Sequence, residues 1–189
     1  MTNNLQICII TEVLPSGVKT MKINIQTLIN KTELEFAEET TVSLKNLHLG
    51  SEKTDYVAKV YGTVIKQGNK YLVSGEIDVT VKLLCDRCMH EFDYPIHADL
   101  YSEFSSDNQY AGENDDVKPV IKSSIDLSDD ILEAIVVEVP MKCLCSKDCK
   151  GMCKNCGANL NHSVCECESA DIDLRLEQLK DIFRGNNEK

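Results

Sequence analysis

The sequence contains no tryptophan, and only 5% of its 189 residues are aromatic, so a hydrophobic core has to be mainly aliphatic. It has no apolar run close to the roughly 20 residues that are needed to cross a bilayer. Its N-terminus lacks the basic segment and the small-residue cleavage site of a secretory signal. We therefore expect a cytoplasmic protein that does not contact membranes.

Motifs for common enzyme chemistries are also missing. The chain has no glycine-rich phosphate loop, no Gly-x-Ser-x-Gly and no His-Glu-x-x-His. Its formal net charge of −11 argues against non-specific adhesion to nucleic acid or anionic lipid. We therefore expect a protein that is not an enzyme and has no small-molecule substrate.

Cysteine, in contrast, is abundant, and seven of the ten cysteines lie between Cys143 and Cys167. This stretch has few apolar side chains, so either disulfides or a metal must hold it in one conformation. Disulfides are rare in a reducing cytosol, where close cysteine pairs more often bind metal. Thiolate ligands favour zinc or iron–sulfur over hard cations. The sequence therefore predicts structural zinc.

Spacing arranges eight cysteines in four close pairs, which is enough for two tetrahedral sites. The division that we favour is a local site of Cys153, Cys156, Cys165 and Cys167, and a long-range site of Cys85, Cys88, Cys145 and Cys149. Spacing also permits Cys85 and Cys88 to meet Cys153 and Cys156 instead. Cys8 and Cys143 are left over, and we interpret them as free thiols.

Other roles for this region have weaker support. His90 and His162 are near enough in sequence to replace a ligand, although an exposed loop histidine is the simpler interpretation of each. A redox role for Cys85-Asp-Arg-Cys88 would need the motif at a helix N-terminus. A catalytic zinc would need His or carboxylate ligands and an open position, and the sequence shows no such set.

Alternating apolar and polar residues predict β-strands. The clearest run is residues 73–83, preceded by 56–66 with a Gly68-Asn69 turn and followed by 92–104. We expect these runs to form an antiparallel meander, after a strand or two around residues 34–44. Cys85 and Cys88 then lie at a turn between strands, which is where zinc knuckles occur.

A helix is predicted over residues 127–139, capped by Asp126 or Ser128 and ended by Pro140. A last helix is predicted over 173–184, and an acidic loop over 105–118.

The predicted fold class is α+β, with an antiparallel, barrel-like sheet, one packed helix and a C-terminal zinc module closed by the last helix. We expect a β-rich part at 21–140 and the cysteine-rich module at 141–189, packed as one unit.

The beginning of the chain has two interpretations. The codons for Gly17-Val18 can contain a ribosome-binding GGAG shortly before Met21. One hypothesis is therefore that translation starts at Met21 and that residues 1–20 are not part of the protein. The alternative is a true N-terminal strand at residues 6–13.

Several motifs together resemble the YceD-like family of large ribosomal RNA subunit accumulation proteins. The most specific motif is Cys153-Lys-Asn-Cys156-Gly-Ala-Asn-Leu-Asn with the cysteines that flank it. Cys85-Asp-Arg-Cys88-Met resembles the family's Cys-x-Arg-Cys-Leu, Val-Glu-Val-Pro140 its Leu-x-Leu-Pro, and Asp173-Leu-Arg-Leu its Asp-Pro-Arg-Leu. The resemblance covers about residues 21–183. Two departures are Leu174, where the family has proline, and the additional Cys143.

The resemblance implies a bacterial, non-enzymatic factor for accumulation of the large-subunit (23S) ribosomal RNA, acting in ribosome assembly. The implied partners are that RNA or a pre-ribosomal particle, with a ribosomal protein as a further candidate. We predict phosphate contacts by Arg87, Lys147, Lys150 and Lys154, although these lysines could instead offset the charge of zinc-bound thiolates. The alternative function is a zinc-stabilised protein–protein adaptor without RNA contact.

Overall fold

The structure is a computed structural model that describes residues 9–13, 19–29, 31–45, 47, 49–50, 52–107 and 117–167. The chain forms two compact units. The first comprises Met1–Leu84 and Glu91–Cys143, and the second comprises Cys85–His90 and Leu144–Lys189. The second unit is therefore assembled from two separate parts of the sequence. That the units pack as one body stays a prediction.

The first unit contains a five-stranded sheet with the order β3-β4-β5-β6-β7. Its strands are β3 (Glu33–Ser43), β4 (Asp55–Gln67), β5 (Lys70–Leu84), β6 (Glu91–Ser105) and β7 (Val117–Pro119). Strands β3 to β6 pair antiparallel, whereas β7 pairs parallel to the end of β6. The predicted antiparallel meander is thus confirmed in β4, β5 and β6. Period-2 alternation predicted these strands because it places one face of each strand in the core.

The barrel-like closure that we predicted is wrong. Among the described residues, β3 pairs only with β4 and β7 only with β6, so the sheet stays open. Alternation specifies which face of a strand is buried, but it does not specify whether the first strand meets the last. Strand β7 begins within the predicted acidic loop 105–118, at Val117, and ends beyond it at Pro119. Residues 108–116 of that loop lie outside the described residues.

A second, three-stranded sheet has the order β1-β2-β8. It consists of β1 (Ile9–Val13), β2 (Lys19–Asn24) and β8 (Ser124–Asp126), and both of its pairings are antiparallel. A 3-10 helix at Ile25–Ile29 follows β2. Strand β1 falls within the alternative interpretation of residues 6–13 as a strand, while the start at Met21 stays a prediction.

The described residues contain one α-helix, α1 (Ser128–Glu138), which matches the prediction over 127–139. Ile131 and Ile135 are its buried apolar residues. The N-cap residue is Leu127, which makes no side-chain capping bond within the described residues, rather than Asp126 or Ser128 as predicted. The Asp126 carboxylate instead accepts a hydrogen bond from the Ser128 amide, 3.1 Å away. The predicted helix 173–184 lies outside the described residues.

The core of the first unit is mainly aliphatic, as the lack of tryptophan implied. It is formed by the inward side chains of β3 to β6 together with β2, β8 and α1, among them Ile23, Val60, Val73, Ile77, Ile125 and Ile131. None of the helices among the described residues has both the length and the apolar character that are required to cross a membrane.

Candidate metal centres

Two tight turns in the second unit have the same backbone design. The Cys85 amide donates to the His90 carbonyl (2.9 Å), and the Met89 amide donates to the Cys85 carbonyl (2.9 Å). In the second turn, the Cys153 amide likewise donates to the Ala158 carbonyl (2.8 Å), and the Gly157 amide donates to the Cys153 carbonyl (2.9 Å). Each turn therefore presents its two cysteines, three positions apart, from one rigid loop.

The residue that follows each Cys-x-x-Cys has a positive φ, which is 54° at Met89 and 72° at Gly157. Glycine adopts this left-handed conformation without steric cost, whereas methionine does not. Glycine at position 157 is a sequence signal for the left-handed residue of the second turn. The first turn was predicted from its place between two strands, but methionine at position 89 gives no signal for its left-handed residue.

The first set of thiols joins the Cys85 turn to the segment after Leu144. The Sγ atoms of Cys85 and Cys149 lie 3.8 Å apart, and those of Cys88 and Cys145 lie 3.7 Å apart. All four sulfur atoms lie within 4.8 Å of one another. Cys85, Cys88 and Cys149 are buried. This is the grouping that the spacing favoured for the long-range site.

The second set is local and more exposed. The Sγ of Cys165 lies 3.5 Å from that of Cys156 and 3.3 Å from that of Cys153. Cys167 completes the set, again with all four sulfur atoms within 4.8 Å of one another. Backbone amides donate to two of the sulfurs, from Asn155 to Cys153 (3.4 Å) and from Cys167 to Cys165 (3.3 Å).

These separations fit metal ligands and do not fit disulfides. A disulfide holds its sulfurs about 2.05 Å apart. A regular tetrahedron with Zn–S bonds of about 2.3 Å places its sulfurs about 3.8 Å apart, and the observed separations of 3.3 to 3.8 Å are close to that value. Among the described residues, these are the only groups of three or more His, Cys, Asp or Glu arranged closely enough for a metal.

The electrostatics of the first set call for a cation. Burial raises the pKa of Cys85, but hydrogen bonds from the backbone of Cys145, Cys88 and Arg87 outweigh burial and lower it to about 6. Burial and the neighbouring Cys149 and Cys88 side chains raise the pKa of Cys145 to about 12. One thiol therefore ionises readily and makes ionisation of another more difficult. A divalent cation removes this conflict, because it stabilises all four thiolates together.

The second set shows the same conflict. The backbone amides of Cys156 and Asn155 lower the pKa of Cys153 to about 6. The Cys165 and Cys156 side chains, followed by burial, raise the pKa of Cys167 to about 12. The donor atoms of both sets therefore suit a soft divalent ion such as Zn²⁺, which would stabilise the fold without taking part in a reaction.

Asn161 contacts a cysteine of the first set, and the sequence analysis did not single it out as a site residue. Its Nδ2 donates to the Cys149 Sγ (3.3 Å), and its Oδ1 accepts from the Lys150 amide (2.8 Å). The Asn161 amide makes the largest contribution to lowering the pKa of Cys149. Because Asn161 lies in the loop between Cys156 and Cys165, it connects the second set's own loop to a ligand of the first.

Arg87 has a structural contact in addition to its predicted contact with phosphate. Its Nη1 donates to the Cys149 carbonyl (2.9 Å), and its carbonyl accepts from the Met152 amide (3.0 Å). These bonds join the Cys85 turn to the segment that contains Cys149. A guanidinium has five N–H donors, and the bond from Nη1 to Cys149 is the one that Arg87 makes through its side chain among the described residues.

Lys147, Lys150 and Lys154 are all exposed. None of the three forms an ion pair within the part of the chain that the structure describes. Their phosphate contacts stay a prediction.

The remaining candidates lie outside both sets. His90 and His162 pack edge to face, with ring centroids 6.1 Å apart, and neither belongs to a sulfur cluster. The Cys143 thiol belongs to the first unit and donates to the Pro140 carbonyl (3.6 Å). Cys8 lies outside the described residues.

The described residues combine an open, mainly antiparallel sheet with a cysteine-rich unit that holds two groups of four thiols. The protein is therefore of the α+β class with two candidate four-cysteine metal centres. The family model described as "Large ribosomal RNA subunit accumulation protein YceD" matches residues 73–183, which include all eight clustered cysteines. The chain belongs to this family. The match covers the C-terminal part of the resemblance that the motifs indicated.

Curated relatives agree with this assignment. The chain is 37% identical over 67 residues to a Zea mays protein named "Large ribosomal RNA subunit accumulation protein YCED homolog 1, chloroplastic", covering 35% of this chain and 22% of the relative. It is 40% identical over 55 residues to the Arabidopsis thaliana protein of the same name, covering 29% and 17%. An uncharacterized Mycobacterium bovis protein is 30% identical over 123 residues, covering 60% and 59%. The chain thus spans less than two thirds of the length of these relatives, and no solved structure matches it.

Proposed function

We propose that this protein is a non-enzymatic, cytoplasmic factor for accumulation of the large-subunit ribosomal RNA, with two structural zinc ions. The observation that carries the proposal is the pair of four-sulfur clusters inside the stretch that matches the YceD family. The names of the plant relatives support the connection to large-subunit ribosomal RNA. The proposed partner is that RNA, free or within a pre-ribosomal particle.

The proposed RNA-contacting groups are Lys147, Lys150, Lys154 and Arg87, all in the cysteine-rich unit. The exposed lysines stand on a backbone fixed by the two sulfur clusters, so their charges are displayed from a rigid surface. The rest of the chain is acidic and repels phosphate elsewhere, so an RNA would be directed to this one region.

A gel-shift titration with large-subunit ribosomal RNA fragments at several salt concentrations tests this proposal. We expect salt-sensitive binding, because each neutralised phosphate releases counterions. The Lys150→Glu/Lys154→Glu variant should weaken binding and make it less dependent on salt. The matched control is Lys31→Glu/Lys45→Glu, which makes the same change of charge at exposed lysines of the first unit.

Equal weakening by both double variants would contradict a specific RNA-binding surface. If the protein binds no fragment and instead co-purifies with a ribosomal protein, the adaptor function is correct and RNA contact is wrong.

A further inference from the structure

The side chain of Asn161 links the two sets of thiols. Asn161 lies in the loop between Cys156 and Cys165, and both ends of this loop belong to the second set. Its Nδ2 donates to the Sγ of Cys149, which belongs to the first set and is 3.3 Å away. A sulfur of one set is therefore held by a residue that the loop of the other set positions.

Short hydrogen bonds fix the conformation of this loop around Asn161. The Asn159 Oδ1 accepts from both the amide and the Nδ2 of Asn161, at 2.9 Å each. The Asn159 carbonyl accepts from the amides of His162 (3.2 Å) and Ser163 (3.0 Å). Because a side-chain amide has two N–H donors, the Nδ2 of Asn161 can serve Asn159 and Cys149 at the same time. The direction in which this amide points thus follows the conformation of the loop.

Two further hydrogen bonds tie the same loop to the backbone beside Cys149. The Leu160 amide donates to the Gly151 carbonyl, 2.9 Å away. The Lys150 amide donates to the Oδ1 of Asn161, 2.8 Å away. A displacement of the loop would therefore shift the backbone next to Cys149 as well as the bond to its sulfur.

A hydrogen bond to a sulfur ligand affects how tightly a thiolate site holds its metal. A donor to sulfur favours the thiolate, which is the form that binds metal. Groups that orient metal ligands in this way typically change metal affinity by about 10- to 100-fold. A metal at the second set would close the loop between Cys156 and Cys165 and restrict the conformations of Asn161. Asn161 is therefore placed to respond to one set and to act on the other.

We propose that Asn161 couples the two metal sites, so that occupation of the second set increases the zinc affinity of the first. The proposal rests on the two structural zinc ions of the proposed function. Because coupling between two binding sites is reciprocal, occupation of the first set strengthens the second by the same factor. Asn161 is a positioning residue in this scheme and is not itself a metal ligand. Chains that hold one ion are therefore disfavoured relative to chains that hold none or two.

A site-resolved zinc titration measures the coupling. The protein is equilibrated at defined concentrations of free zinc and pulsed with iodoacetamide. Peptide mass spectrometry then reads the alkylation of Cys145 for the first set and of Cys167 for the second. Cys153→Ser disables the second set, and Cys85→Ser disables the first. The set that loads last in the wild type should need roughly tenfold more free zinc for half-protection when the other set is disabled.

Variants of Asn161 show whether this residue carries the coupling. In Asn161→Ala the tenfold factor should fall below about twofold, because the bond to Cys149 is lost. Asn161→Asp keeps the size of the side chain and an acceptor for Lys150 but has no N–H for the sulfur, so the factor should fall there too. Val164→Ala, at an exposed position of the same loop, is the matched control and should keep the full factor.

The proposal is overturned if each set loads at the same free zinc whether or not the other set is disabled. It is also overturned if Asn161→Ala or Asn161→Asp keeps the tenfold factor, because the sets are then coupled without the bond to Cys149. Failure of the proposed zinc sites has a different signature. Alkylation of Cys145 and Cys167 would then not depend on zinc at any concentration, and the coupling would be wrong as well.

Discussion

At the scale of single residues, the two cysteine turns share their hydrogen bonds but differ at the left-handed position. Gly157 adopts its φ of 72° freely, whereas Met89 is held at 54° against the preference of its Cβ. For residues other than glycine, this conformation costs about 1–2 kcal/mol. The Met89 side chain is exposed and gains little from packing in return. The first turn thus stores strain that the second avoids.

Exchanging these residues should have opposite effects. Met89→Gly removes the strain at the cost of a more flexible unfolded chain, so the free energy of unfolding should be unchanged or higher by up to about 1 kcal/mol. Gly157→Met introduces the strain and should lower the free energy of unfolding by about 1–2 kcal/mol. Urea denaturation of the zinc-loaded protein measures both. The equivalence of the two turns is refuted if Gly157→Met is tolerated as well as Met89→Gly.

At the scale of elements, the close approach of β4 and β5 depends on a facing pair of glycines. Gly62 and Gly75 are Cα partners across the two strands. A Cβ built on Gly75 would lie 2.4 Å from the Tyr61 carbonyl oxygen, and one built on Gly62 would lie 2.3 Å from that of Ser74. These contacts are with backbone atoms, which cannot turn aside as a flexible side chain can. The strands therefore tolerate no side chain at this crossing.

Gly75→Ala should therefore lower the free energy of unfolding by about 2 kcal/mol, because the two strands have to separate to admit the methyl group. Ser74→Ala, at the neighbouring exposed position, is the control and should stay within about 0.5 kcal/mol of wild type. Thermal unfolding followed by circular dichroism compares the two. A Gly75→Ala protein as stable as the control would show that β4 and β5 are not so closely apposed.

Element by element, prediction from sequence succeeded where one local pattern determines the outcome. Alternation located β5 and the strands beside it, and the apolar spacing of Ile131 and Ile135 located α1. Prediction from sequence failed where the outcome depends on which strands pair across a long stretch of sequence, as in the open sheet and the parallel strand β7. Strand β7 is only three residues long, which is too short to show a period.

The candidate site was predictable for a similar reason. Cysteine has few roles in such close pairs, so spacing alone favoured both groups of four. The contact of Asn161 with Cys149 was not predictable, because an asparagine in a loop is usually a turn residue. The strain at Met89 was also not predictable, because methionine has no preference for the left-handed conformation.

At the scale of the whole molecule, the two sulfur groups predict a metal content. Elemental analysis of the purified protein should find two zinc ions per chain. Cys85→Ser and Cys153→Ser should each remove one, because the two residues belong to different groups. The double variant separates this grouping from the alternative. It should lose both ions, whereas only one would be lost if Cys85 and Cys153 shared a site. Metal-free protein with ten titratable thiols would contradict zinc binding altogether.

The discontinuous second unit has a consequence for how the chain is made. Cys85 and Cys149 are 64 positions apart, so the ribosome finishes the Cys85 turn long before its partners exist. At about 5–20 residues per second, this interval lasts roughly 3–13 s. During this time the Cys85 and Cys88 thiols of the nascent chain lack the two thiols that complete their group of four. Synthesis from the N-terminus therefore sets an order of assembly. The β5–β6 hairpin is made before the segment that carries Cys145 and Cys149, and the first group of four thiols is complete only after Cys149 has been added.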